Sequence, residues 1–134
     1  MPLPITAFVA AVCAIMLLIT GVDTVRQRIR IKAAFGDAGD AKLISASRSH
    51  GNLSEHAPIV ILMIGMLEMA RANHMVLMGM GALFLIGRAA HIVGLYTASE
   101  PGQPPVPRQI GVVVTWLTLL LLSGWTIFLL ATRN

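Results

Sequence analysis

Residues 47–58 read SRSHGNLSEHAP and run directly into IVILMIGML at residues 59–67. The first stretch sets Arg48, His50, Asn52, Glu55 and His56 against a run suited to lipid. How these polar groups are housed decides the fold. Arg48, Asn52 and Glu55 recur at i, i+4 and i+7, which puts them on one face of a helix. His56 falls on the shoulder of that face. Pro58 withdraws a backbone donor from the Ser54 carbonyl and is expected to bend the helix beside its most polar turn.

The composition around this stretch is that of a membrane protein. Of 134 residues 56% are hydrophobic and only 12% charged, against roughly 45–50% and about 25% in soluble domains. The net charge of +4 does not indicate nucleic acid. Basic residues concentrate in VRQRIRIK (25–32), and 5% aromatic content offers no stacking platform. A juxtamembrane basic patch accounts for them. Cys13, alone, can form neither an internal disulfide nor a zinc site, and is expected to be a small buried or lipid-facing residue.

Three further apolar segments stand at residues 3–22, 74–96 and 110–132. Each meets the length of about 20 residues that a spanning helix needs. The segment after Ala57 meets it only if the helix includes the polar stretch before it. Asp40 offers an N-cap, with Gly36 and Gly39 as turn residues ahead of it. A helix from about Ala41 to Arg71 would be roughly 45 Å long, more than the roughly 30 Å hydrocarbon core. Its first turns are therefore expected outside the lipid. The proline-rich SEPGQPPVP (99–107) reads as a non-helical connection.

The first segment has no basic residues ahead of it and several after it, which suits a retained helix better than a cleaved leader. Arg26, Arg28, Arg30, Lys32, Lys42, Arg48, Arg88 and Arg108 are expected at one side of the membrane. Only Arg71 and Arg133 lie opposite. The positive-inside rule makes the rich side cytoplasmic and places both termini outside. The fold class is all-α: an integral membrane four-helix up-down bundle.

On helix three Arg88 and His91 share a face at i, i+3, and Gly87 and Gly94 permit close approach of another helix. Gly79 and Gly81 suggest helix packing rather than phosphate binding. Arg108 opens helix four. Arg26 or Arg30, Arg48, Asn52, Glu55, Arg88 and Arg108 are thus expected to converge at one level. Guanidinium forks suit carboxylates and Glu55 suits an ammonium group. A small zwitterion with excess negative charge, such as the tripeptide glutathione, fits that set. The plainer alternative has Arg48 and Arg108 snorkelling to headgroups and Glu55 pairing with a neighbouring arginine. His50 and His56 share no helical face and lack partners for a ligand set, so no metal is expected. GxSxG, Walker A and GxGxxG patterns are all absent. A small multidrug exporter would need an acidic residue deep in the first span, and residues 3–22 have none.

RSHGNLSEHAP resembles the R-x-x-x-N-x-x-E-x-x-P signature of the MAPEG proteins, the membrane-associated proteins in eicosanoid and glutathione metabolism. The resemblance covers the whole chain: a basic run ending helix one, the signature opening helix two, GRAAHIVGLY near the end of helix three, and an arginine opening helix four. It implies one MAPEG-like membrane domain over residues 1–134, with helices at about 3–32, 41–71, 73–97 and 107–132. It also implies a homotrimer among membrane lipids, with glutathione as co-substrate between subunits near the cytoplasmic face. Arg48, Asn52 and Glu55 fall on glutathione-binding positions. Glu55 would hold the amino group, and Arg48 with Arg26 or Arg30 the carboxylates. Arg88 matches the helix-three arginine. Arg108 matches the arginine that would stabilise the thiolate, consistent with positive charge favouring the nucleophilic form. Two positions depart from the pattern: His56 and His91 stand where tyrosines are common, and both can still hydrogen-bond ligand. The implied activity is glutathione transfer to lipophilic electrophiles or reduction of lipid hydroperoxides, and the expected bacterial membership would place it in the inner membrane. The alternative is a non-catalytic MAPEG-fold protein that binds lipid or another anionic ligand.

Overall fold

A computed structural model describes residues 1–97 and 102–132. It contains four helices: α1 (Pro4–Ile31), α2 (Ala41–Met69), α3 (His74–Tyr96) and α4 (Val106–Thr132). Residues 98–101, which take in the start of the proline-rich connection, and residues 133–134, which include Arg133, lie outside the described residues.

Local chemistry sets the helix ends. Lys32 adopts a left-handed conformation after α1, and Ala33 N–H returns to the Arg28 carbonyl at 3.1 Å. Gly36 and Gly39 follow with φ of +67° and +69°, which glycine tolerates best. Asp40 then caps α2, accepting from Leu43 N–H at 2.8 Å. Asp40 also accepts from the Arg30 guanidinium, the one ion pair among the described residues. That guanidinium, and after it the Leu43 N–H, holds the Asp40 carboxyl below the usual carboxylate range. Asn73 caps α3 in the same manner, accepting from Val76 N–H at 3.1 Å. Helix α4 begins inside the stretch read as a connection and takes up Val106 and Pro107. A proline in a first turn loses no intrahelical bond, so the composition was misleading there.

The start of α1 has no cap of its own. Glu68, at the far end of α2, supplies one. Its carboxylate accepts from Ile5 and Thr6 N–H, both at 2.9 Å, and from the Thr6 hydroxyl at 2.6 Å. This pins α1 antiparallel to α2. Asn52 meets Arg88 and Ile64 meets Gly81, so α2 and α3 are also antiparallel. Gly94 lies against Arg108 and Gly87 against Val114, which makes α3 and α4 antiparallel in turn. The path is therefore up-down.

Glycines set the α3–α4 spacing. A Cβ on Gly94 would stand 2.3 Å from Arg108 N, and one on Gly111 2.5 Å from the His91 Cβ. Gly87 and Gly94 serve as expected, and Gly111 joins them. Gly81 packs on Val9 while Gly79 meets nothing.

Helices α1, α3 and α4 are long and apolar enough to cross a membrane. Helix α2 is not among them, because its N-terminal half is polar. It supplies Leu53, Ala57, Val60, Ile64 and Leu67 to the core instead. Pro58 sits within α2, which continues through it. Cys13 is buried against the same core.

Candidate functional site

The signature stretch opens on an outer and an inner layer. Arg48, Asn52 and Glu55 share the expected face of α2 and line a cleft of about 390 Å³. Its other wall is Arg28 of α1 with Gly36 and Asp37 of the following loop. Arg28 is fixed there by donating to the Gly36 carbonyl at 2.9 Å and the Ala34 carbonyl at 3.3 Å. Arg48 and Glu55 are exposed, and among the described residues neither forms an ion pair or hydrogen bond. Among the described residues, Glu55 pairs with no arginine of its own chain.

The inner layer is closed. Arg88 is 2% exposed. Its Nη1 donates to Asn52 Oδ1 at 2.8 Å and its Nη2 to the Gly111 carbonyl at 2.9 Å. The guanidinium carbon lies 5.9 Å from the Phe84 ring centroid, within cation–π range. Among the described residues, Arg88 Nε has no partner. The Gly111 carbonyl also accepts from the Thr115 hydroxyl at 2.8 Å. One buried guanidinium thereby ties α2, α3 and α4 together at the level of Asn52.

Both histidines at the departures from the signature lie close by. His56 Nδ1 is 2.8 Å from the Asn52 carbonyl and His91 Nδ1 is 3.3 Å from the Arg108 carbonyl. A carbonyl only accepts, so in each ring Nδ1 carries the proton and Nε2 is left as the acceptor of the neutral form. His91 is within electrostatic reach of Arg88, Arg108 and His56.

The expected convergence is thus divided. Asn52 belongs to both layers, Arg88 and His91 to the inner one, and His56 stands beside it. The structure places neither Arg26 nor Arg30 in the cleft. Arg30 is committed to Asp40 and to Gln27 Oε1 at 2.8 Å, and Arg26 is exposed on the far side of α1. Residues i and i+4 share a helical face while i+2 lies nearly opposite, so Arg28 is the arginine that turns to the cleft. That signal was present in the VRQRIRIK spacing. Arg108 presents its carbonyl to His91, but its exposed side chain does not line this cleft.

A separate polar contact joins α1 to the end of α3. Asp23 accepts from the Tyr96 hydroxyl at 2.5 Å and from Gln27 Nε2 at 3.0 Å. Nothing in the local sequence pairs positions so far apart, and the same holds for Glu68.

An antiparallel four-helix membrane fold with Arg48, Asn52 and Glu55 aligned at the head of α2 defines a class. The chain belongs to the MAPEG family, whose family model matches residues 6–128. It is similar to the inner membrane protein YecN of Escherichia coli K12, at 33% identity over 118 residues, covering 88% of this chain and 86% of YecN. The YecN of Escherichia coli O6:H1 matches to the same extent. No solved structure matches the chain.

Proposed function

We propose that the protein is a homotrimeric, glutathione-dependent transferase or peroxidase of the bacterial inner membrane, acting on lipophilic electrophiles or lipid hydroperoxides. The observation that carries this reading is the pair of unpartnered charges, Arg48 and Glu55, facing a cleft of about 390 Å³ beside Asn52. Small-molecule sites run roughly 300–1,000 Å³. Exposed, unpaired charge at the head of α2 suits a ligand or a second subunit. Arg48 and Arg28 would take the two carboxylates of glutathione and Glu55 its ammonium group, each by charge-assisted hydrogen bonds.

In this reading Arg108 acts across a subunit boundary, its guanidinium reaching the thiol in the neighbouring cleft. The thiol proton passes to solvent water, adjacent positive charge favours the thiolate, and the thiolate forms the carbon–sulfur bond as the electrophile's leaving group departs with its bonding electron pair. The basic ends of α1 and α2 face the cytoplasm and both termini face out. The relative's inner-membrane name supports the location, and the family resemblance supports the trimer.

One observation favours a second reading, a non-catalytic family member that binds an anionic ligand or lipid. Among the described residues, no cationic group besides Arg28 and Arg48 lines the cleft of a single chain. Turnover separates the two. Purified protein with glutathione and an aryl halide is expected to release halide, with the rate falling at least tenfold in Arg108→Ala. Saturable glutathione binding without halide release would establish the second reading.

A further inference from the structure

A second polar cleft, of about 440 Å³, lies apart from the one that Arg48 lines. Asp23 and Gln27 of α1 form one wall, Lys42 and Ser45 of α2 another, and Tyr96 closes it from α3. Its depth follows from the sequence. Asp23 is the first charged side chain after the apolar run of α1, Tyr96 is the last residue of α3, and Lys42 stands in the first turn of α2. The cleft therefore opens where lipid tails give way to headgroups.

The two charges in this cleft do not meet. Asp23 accepts from the Tyr96 hydroxyl at 2.5 Å and from Gln27 Nε2 at 3.0 Å. Both donors are neutral, so they orient the carboxylate without cancelling its charge, and they leave it further lone pairs. Lys42 is exposed, and among the described residues neither it nor Asp23 forms an ion pair. Ser49 follows Ser45 by one turn on the same face of α2. It is fully buried near the Tyr96 oxygen, and its hydroxyl makes no hydrogen bond among the described residues. A buried polar atom without a partner points to a group that the chain itself does not supply.

We infer that this cleft binds the headgroup of a zwitterionic phospholipid bearing a primary ammonium, a phosphatidylethanolamine, with its phosphate against Lys42 and the Ser45 hydroxyl and its ammonium donating to Asp23. Separated charges of opposite sign suit a ligand that carries both. A choline headgroup keeps the positive charge and loses all three N–H donors, so Asp23 is the residue that tells the two apart. The depth of the cleft favours a membrane lipid over a soluble zwitterion. The site draws on α1, α2 and α3 of one chain and shares no lining residue with the Arg48 cleft. It goes beyond the proposed function and does not rest on it.

The test is native mass spectrometry of the full-length protein in detergent with an equimolar mixture of phosphatidylethanolamine and phosphatidylcholine of identical chains. Wild type is expected to retain the ethanolamine lipid over the choline lipid by roughly two- to tenfold, the value of one net hydrogen bond. Asp23→Asn keeps an acceptor for Tyr96 and removes the charge, and should bring the ratio to about one. Lys42→Ala, an exposed change, should lower retention of both lipids and leave the ratio in place. An N,N-dimethylated headgroup keeps one N–H donor and should be retained better than choline. Equal retention by wild type, a preference that survives in Asp23→Asn, or a dimethylated headgroup held no better than choline would each overturn the inference. If Asp23→Asn does not assemble, the headgroup series in wild type and the fall in Lys42→Ala decide it, and unchanged retention in Lys42→Ala counts against the site. Soluble glycerophosphoethanolamine at the lipid's concentration should not displace it, and displacement would overturn the membrane source.

Discussion

Arg88 and Arg48 stand on either side of Asn52 and lead different lives. Arg88 is enclosed, with two hydrogen bonds and an aromatic ring around it. Arg48 is exposed and unpaired on an open cleft. A guanidinium at membrane depth is tolerated when the protein satisfies it, and otherwise marks a place where something else must arrive. The comparison separates holding the bundle together from binding a ligand. Residue type alone would have assigned both arginines to one site.

The largest stability effect is expected at Arg88. Arg88→Ala leaves Asn52 Oδ1 without its donor and empties a fully buried volume. A loss of about 3–5 kcal/mol follows, read as a large fall in thermal midpoint in detergent or as failure to purify. Gly111→Ala comes next. Its Cβ would press on the His91 backbone and the Gly87 carbonyl, at a cost of about 1–3 kcal/mol. The same melt detects it, and Gly124→Ala, where a Cβ meets nothing, serves as the neutral comparison.

Glu68→Gln removes the charged acceptor that caps α1 and should cost about 1–2 kcal/mol. Hydrogen exchange at Ile5 and Thr6 should rise before that of the core. Asp40 gives a smaller effect with a defined sign. Its folded-state carboxyl is held below its ordinary value, so the stabilisation is present above the unfolded pKa and fades as pH falls through the folded value. Exchange at Leu43 should therefore quicken only below about pH 4, and Asp40→Ala should abolish that pH dependence. Arg48→Ala should leave stability within about 0.5 kcal/mol, despite its position in the signature.

Much of the frame was legible because it is local. Apolar run lengths gave the helices, Asp40 with Gly36 and Gly39 gave the entry to α2, and Gly87 and Gly94 gave the α3–α4 seam. What escaped depends on the third dimension. Glu68 caps a helix more than sixty positions away, and no local pattern signals that. Arg88 reads from sequence as one more cation at the site, and only its partners show that it braces the core. Arg28 is the intermediate case. The turn of the helix distinguished it from Arg26 and Arg30, once the cleft's side of α1 was known.

The division between brace and cleft is tested most directly by calorimetric titration of glutathione into folded wild-type, Arg48→Ala and Arg26→Ala protein. Wild type and Arg26→Ala are expected to bind alike. Arg48→Ala should bind at least tenfold more weakly with an unchanged thermal midpoint, the loss of one charge-assisted contact being worth about 1.5–3 kcal/mol. Folded wild type showing no heat at millimolar glutathione, or Arg48→Ala binding as wild type does, would contradict the account.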